Sequence, residues 1–172
     1  MKKTIRLFLI CALTALVSPS CINEESPSLD DVVRVGDVLP DFSVTMNDGR
    51  IVTGAELRET PSVILFFHSS CPDCRQALPS LQRLYDEYAS QGVGFALISR
   101  AEESATIDEY WQACGFTMAY SAQKDRAIYE LFAKSRVPRV YISDDSGRVR
   151  SVFTDNPVPT YDDLVTALSA LL

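Results

Sequence analysis

The order of apolar segments predicts an α/β domain, with a central mixed sheet flanked by helices. The first observation is the run Ser62-Val63-Ile64-Leu65-Phe66-Phe67, short, apolar and partly β-branched, as expected of a buried central strand. Behind it Ala77, Leu78, Leu81, Leu84, Tyr85 and Tyr88 recur at the spacing of an amphipathic helix, and a second apolar run, Val93 to Ser99, follows a break at Gly92. That order makes a parallel β-α-β unit. The second observation is Val140 to Ser143, then Asp144-Asp145-Ser146-Gly147, then Arg148 to Phe153, which is an antiparallel hairpin with its turn. One sheet holding both units is mixed.

The remaining elements follow from turn and cap signals. Val38 to Met46, Asn47-Asp48-Gly49 and Arg50-Ile51-Val52 predict an N-terminal β-hairpin with Asp-Gly at the turn. Thr53 to Glu59 predicts a short helical turn, and the helix after the first central strand runs to about Ser90. Helices are expected over 104–114 and 124–133, a helical insertion with a short extended piece near Phe116 to Tyr120 between them. The last helix starts at Thr160 as N-cap, carries Asp162 and Asp163 in its first turn, and runs through Leu164, Leu168 and Leu171.

The chain has 172 residues and a formal net charge of −7. Lys2, Lys3 and Arg6 precede the apolar run Leu7 to Val17, which is too short to span a bilayer and reads as an export signal. Small residues Ser18 and Ser20 stand before Cys21, an arrangement similar to a bacterial lipoprotein signal, in which cleavage precedes a cysteine that then carries lipid. Polar residues 22–34 suit a flexible tether, and acidic residues just after Cys21 resemble the export signals of Bacteroidetes-type lipoproteins. Residues 35–172 are left as one domain. Removing 1–21 takes three cations and no anion, leaving 13 basic against 23 acidic residues, a balance that makes nucleic acid an unsuitable partner.

Chemistry concentrates where the first central strand ends, at His68-Ser69-Ser70-Cys71-Pro72-Asp73-Cys74. Two thiols three residues apart at a helix start have the geometry of a redox pair. The unpaired N–H groups and the positive end of the helix dipole favour a thiolate at Cys71, the form that attacks disulfides, and Cys74 is placed to resolve the mixed disulfide. An exported protein meets an oxidising environment, so an available close pair there implies a dedicated redox poise. Asp73 opposes a neighbouring thiolate while suiting the helix dipole. His68, the only histidine, is either a proton acceptor for a thiol or a strand-end residue satisfied by backbone, the second being favoured because side chains alternate along a strand. Cys114 lies before Gly115 at a helix end and is expected to be a small buried hydrophobe, with a third redox thiol as the alternative.

From about Val35 to the C-terminus the pattern resembles the thioredoxin superfamily, and within it the membrane-tethered TlpA/ResA-like thiol-disulfide oxidoreductases of bacterial envelopes. The likeness rests on Val35-Gly36-Asp37-Val38-Leu39-Pro40-Asp41-Phe42 with its hairpin, on the strand plus Cys71-Pro72-Asp73-Cys74, on Pro79 inside the helix, and on Val137-Pro138 before the second hairpin. It implies a thioredoxin-like three-layer fold and a cis peptide bond at Pro138 lying against the CxxC, with Val137 and Pro138 contacting the substrate chain. It also implies exchange with exported proteins that bear thiols or disulfides, an unidentified redox donor, attachment to the membrane through lipid on Cys21, and no cofactor beyond the Cys71–Cys74 disulfide. The setting implied is a bacterial cell envelope, periplasmic or surface-exposed.

Departures accompany the matches. The acid that thioredoxins bury on the strand before the motif falls at Leu65, the Glu that relatives in cytochrome c maturation carry falls at Ala77, the usual aromatic before the first cysteine is Ser70, and the usual Thr after the proline is Arg139. Arg136 and Arg139 flank Pro138, either presenting positive charge near the thiols or lying as solvated surface residues. Three other functions stay open. A peroxidase of the peroxiredoxin kind normally has Thr or Ser where His68 stands. A metal module lacks a second CxxC or a His pair, so no metal is expected. A thioredoxin-like scaffold with a static disulfide is the plainest alternative.

Overall fold

A computed structural model describes residues 30–172; the export signal, Cys21 and most of the tether lie outside them. A five-stranded sheet has the order β5-β4-β3-β6-β7. Its strands are β3 (Ser62–Phe67), β4 (Gly94–Ser99), β5 (Tyr120–Ser121), β6 (Arg139–Ser143) and β7 (Val149–Phe153). β3, β4 and β5 run parallel, whereas β6 is antiparallel to both β3 and β7, so the two expected units share one mixed sheet. β3 is buried along its whole length, as a doubly covered central strand must be.

The two faces of β3 are separated by the pleat. Phe67 meets Trp111 of α3 (Ser104–Cys114), with ring centroids 5.1 Å apart. Tyr85 of α2 (Pro72–Tyr88) packs 5.2 Å from Phe95, the register partner of Val63, so α2 covers that same face. On the opposite face Phe66 meets Tyr129 of the short α4 (Ala127–Glu130), and also Phe132 and Tyr141. Three layers result. The final helix α5 (Tyr161–Ser169) opens with a full capping box between Thr160 and Asp163, the start its sequence specifies.

The N-terminal hairpin forms from β1 (Ser43–Thr45) and β2 (Ile51–Thr53), with Gly49 at φ 86° in the turn. Thr53 then caps the one-turn helix α1 (Gly54–Leu57) by accepting from Glu56 N. The first arm is shorter than expected because residues 36–39 pair elsewhere: Gly36 N donates to Val149 O, Val149 N to Asp37 O and Leu39 N to Gly147 O. The hairpin turn docks on β5, where Asn47 N donates to Tyr120 O and Tyr120 N to Asn47 Oδ1.

Two expectations are corrected. The helix expected over 124–133 contracts to Ala127–Glu130, because Phe132 O accepts from Val32 N and Val33 N, and Lys134 N donates to Asp30 O. Tertiary pairing overrides local helix propensity there. By the same bonds, residues 30–34 are docked on the domain, although their composition placed them in the tether.

Candidate functional site

The carboxyl ends of β3 and β4 and the loop before β6 converge on the CxxC segment. Cys71 is the N-cap residue of α2, with extended backbone and Pro72 next in the helix, where a missing N–H costs nothing. Its amide donates to His68 O at 3.0 Å, its carbonyl accepts from Arg75 N at 3.0 Å, and its half-buried Sγ donates to Val137 O at 3.4 Å. The Val137–Pro138 bond is cis, as is Asn156–Pro157. The Val137 carbonyl therefore stands directly against the thiol of Cys71.

Cys74 lies one turn deeper and is fully buried. Burial pushes its thiol far above the ordinary range and the neighbouring Cys71 sulfur adds to this, while the His68 backbone amide and the Arg100 charge act against it. The two thiols thus occupy unlike environments, one at an accessible helix start and one in the core. Leu65 is fully buried and offers no carboxylate to either. Asp73 is half-buried in the first turn of α2, where an acid suits the dipole.

His68 turns to its own loop. Its Nδ1 accepts from Ser70 N at 3.3 Å and lies 3.0 Å from Ser70 Oγ. The same Nδ1 lies 3.7 Å from Oε1 of Glu102. Glu102 is a residue the sequence reading missed. Its buried carboxylate accepts from Ser69 N at 2.9 Å and from Ser69 Oγ, while Arg75 Nε donates to Ser69 O at 2.6 Å. Ser69 is held at its amide, hydroxyl and carbonyl, which fixes the chain two residues before Cys71. The available signal was position: Glu102 follows the carboxyl end of the strand adjacent to the CxxC strand, where open α/β sheets gather their polar side chains. Ala101, at φ 57°, turns the chain to place it.

The arginines flanking Pro138 differ from each other. Arg136 is exposed, at φ 69°, and reaches Asp30 and Asp155 at 3.9 and 3.6 Å. Arg139 is not a surface residue: it is fully buried, and its hydrogen bonds go to Ser135 O and Asp31 rather than to a thiol. Cys114 also needs correction. It is exposed at the last position of α3, beside the Gly115 C-cap, although its spacing of three from Trp111 and seven from Ile107 is in phase with the buried stripe. Burial, with the Cys114 thiol beside it, pushes Tyr110 up to about 12. Among the described residues no three His, Cys, Asp or Glu side chains are arranged to hold a metal ion. No helix among them is long and apolar enough to cross a membrane.

The profile of the AhpC/TSA family matches residues 35–152. The thiol-disulfide oxidoreductase ResA of Geobacillus thermodenitrificans is 22% identical over 154 residues, covering 90% of this chain and 86% of that protein. A solution structure from Bacteroides thetaiotaomicron superposes with a TM-score of 0.78 at 23% identity, covering 85% of this chain and 94% of the other. A secreted Mycobacterium tuberculosis disulfide oxidoreductase, homologous to the Escherichia coli DsbE, gives 0.65 at 22% identity over 76% of this chain and 96% of its own. These likenesses establish the fold as thioredoxin-like.

Proposed function

The chain belongs to the AhpC/TSA family, and on that premise we propose that it is a thiol-disulfide oxidoreductase whose working pair is Cys71 and Cys74. One observation carries the reading: the Cys71 sulfur sits at the helix start against Val137 O, with the buried Cys74 thiol one turn behind it. The helix start supplies free N–H groups and a positive dipole end to a thiolate. As a thiolate, Cys71 attacks one sulfur of a client disulfide. A Cys71–client S–S bond forms, the client S–S bond breaks, and the expelled client sulfur takes a proton. Cys74 then loses its proton and attacks Cys71 Sγ, releasing the second client thiol. Two electrons and two protons pass to the client, and the protein is left with a Cys71–Cys74 disulfide; the reverse sequence oxidises a dithiol. No separate cofactor enters.

Beside the thiols, the loop backbone at Val137 and Pro138 is the part of the domain we assign to contact with the client's extended chain. His68 and Asp73 tune the pair through the loop and the dipole. The clients are exported proteins bearing thiols or disulfides, served by a separate redox donor. The export signal supports a place outside the cytoplasm in the cell envelope, with Cys21 as the lipid-bearing first residue of the mature chain.

The test is reduction of a protein disulfide by the dithiol form, together with capture of clients by Cys74→Ser. Turnover in the wild type and accumulation of mixed disulfides in the variant support the reading. Peroxide consumption without disulfide exchange would replace it with a peroxidase.

A further inference from the structure

Arg139 follows Pro138 directly and is among the largest fully buried side chains of the domain, yet thiol exchange as described makes no use of it. Its guanidinium is spent on holding chain. Nε donates to Ser135 O at 3.0 Å, four residues back, so the loop carrying Val137 and Pro138 is closed on itself. Nη1 donates to Asp31, 108 positions away in sequence, while Nη2 is buried with no protein partner. Asp31 is held in turn by backbone: it bridges to Ala133, and its neighbours Val32 and Val33 both donate to Phe132 O. On the other shoulder of the loop, Arg136 reaches Asp30. Two adjacent acids thus meet the two arginines that bracket Val137–Pro138, and the carbonyl between those arginines is the one that accepts from Cys71.

A buried ion pair is a poor source of stability, because desolvating both ions offsets most of their attraction. It is, however, directional, and a guanidinium fork fixes its partners in a plane. We propose that Asp31 is a positioning residue for thiol-disulfide exchange: through Arg139 it holds the Ser135–Pro138 loop so that Val137 O stays against the Cys71 sulfur and the loop backbone meets an incoming polypeptide in one orientation. This rests on reading Cys71 and Cys74 as the exchanging thiols.

The test compares the full chain with Asp31→Asn, which removes the charge conservatively, and with Asp31→Leu/Arg139→Met, which replaces the pair by apolar groups of similar reach. Three quantities are measured on the dithiol forms: the rate with a small aromatic disulfide, kcat and KM for insulin reduction, and the melting temperature. The small disulfide needs only the Cys71 thiol, whereas insulin must also dock its chain on the loop. Loss of one charge-assisted contact should raise the insulin KM about tenfold in Asp31→Asn and leave the small-disulfide rate within about twofold. The double variant should melt no lower than wild type and keep the same KM defect. A wild-type insulin KM in either variant, or a parallel fall of both rates with the melting temperature, would overturn the proposal and leave the pair a structural one. If wild type itself fails with the small disulfide, the exchange reading falls first and the positioning role with it.

Discussion

The sulfur of Cys71 and the carbonyl oxygen of Val137 lie 3.4 Å apart, although 66 positions separate them in the chain. That contact joins the helix start after β3 to the loop before β6, and β3 and β6 are themselves antiparallel neighbours. The thiol is therefore placed by the sheet from one side and by the loop from the other.

Attack should belong to Cys71. Cys71→Ser should abolish disulfide reduction and capture nothing, whereas Cys74→Ser should lose turnover yet accumulate mixed disulfides through Cys71. Burial holds the Cys74 thiol far above its ordinary value, so Cys74 stays protonated across neutral and mildly alkaline pH. Limiting iodoacetamide over a pH series, followed by peptide mapping, should find Cys71 modified first throughout. Equal labelling of the two would reverse the assignment.

Cys114 should react with bulky thiol reagents in the native protein, since it is exposed. Cys114→Ser should leave insulin reduction within about twofold of wild type, as a surface substitution away from the thiol pair has a small effect. Counting native thiols with a maleimide polymer tests the exposure, and a protected Cys114 would contradict it.

Glu102→Ala should cost about 1–3 kcal/mol, because the buried amide and hydroxyl of Ser69 both lose their acceptor. Urea unfolding at pH 7 measures it. A change below about 0.5 kcal/mol, the range of an ordinary surface substitution, would mean that Arg75 alone holds the loop.

Asp144 makes a pH-dependent contribution with a definite sign. Ser146 Oγ first, then the amides of Arg148 and Ser146 and the Arg150 side chain, hold its carboxyl well below the usual 3.8. A depressed folded value means stability that is present above the unfolded value and lost as pH falls through the folded one. Asp144→Asn should therefore lower the melting temperature at pH 7, and the gap from wild type should narrow below about pH 4. A gap that stays constant down to pH 2 would remove the charge from the account.

Gly54→Ala should destabilise by about 1–3 kcal/mol, the usual cost of overpacking. A Cβ there would lie 2.2 Å from Pro40 O, a backbone atom tied into the hairpin base by the neighbouring Gly54 N to Phe42 O bond. Thermal melts of the purified variant decide it.

The legible parts of the sequence were those set by local rules. The β3-α2-β4 unit follows from apolar periodicity, and the α5 start follows from Thr160 and Asp163 three residues apart. The closeness of Cys71 and Cys74 was legible because their spacing falls on the strand-to-helix junction where α2 starts. What escaped depends on distant chain. Arg139 read equally as a charge near the thiols or as a surface cation, because nothing local shows that Asp31 will meet it. Helix 124–133 was cut short by pairing with 31–33, and Glu102 gained its meaning only when β4 was laid beside β3. Cys114 falls in step with Ile107 and Trp111 and is of a residue type usually buried, yet the helix ends there and leaves it exposed.

The sheet margins have a consequence for how the domain meets other polypeptides. On one side β5 is only two residues long and is covered by the hairpin at Asn47, and on the other residues 36–39 lie along the start of β7. Unpaired strand margins recruit foreign polypeptide and seed aggregates. With both flanks closed at these points, a foreign strand meets little free backbone there to extend into a shared ladder.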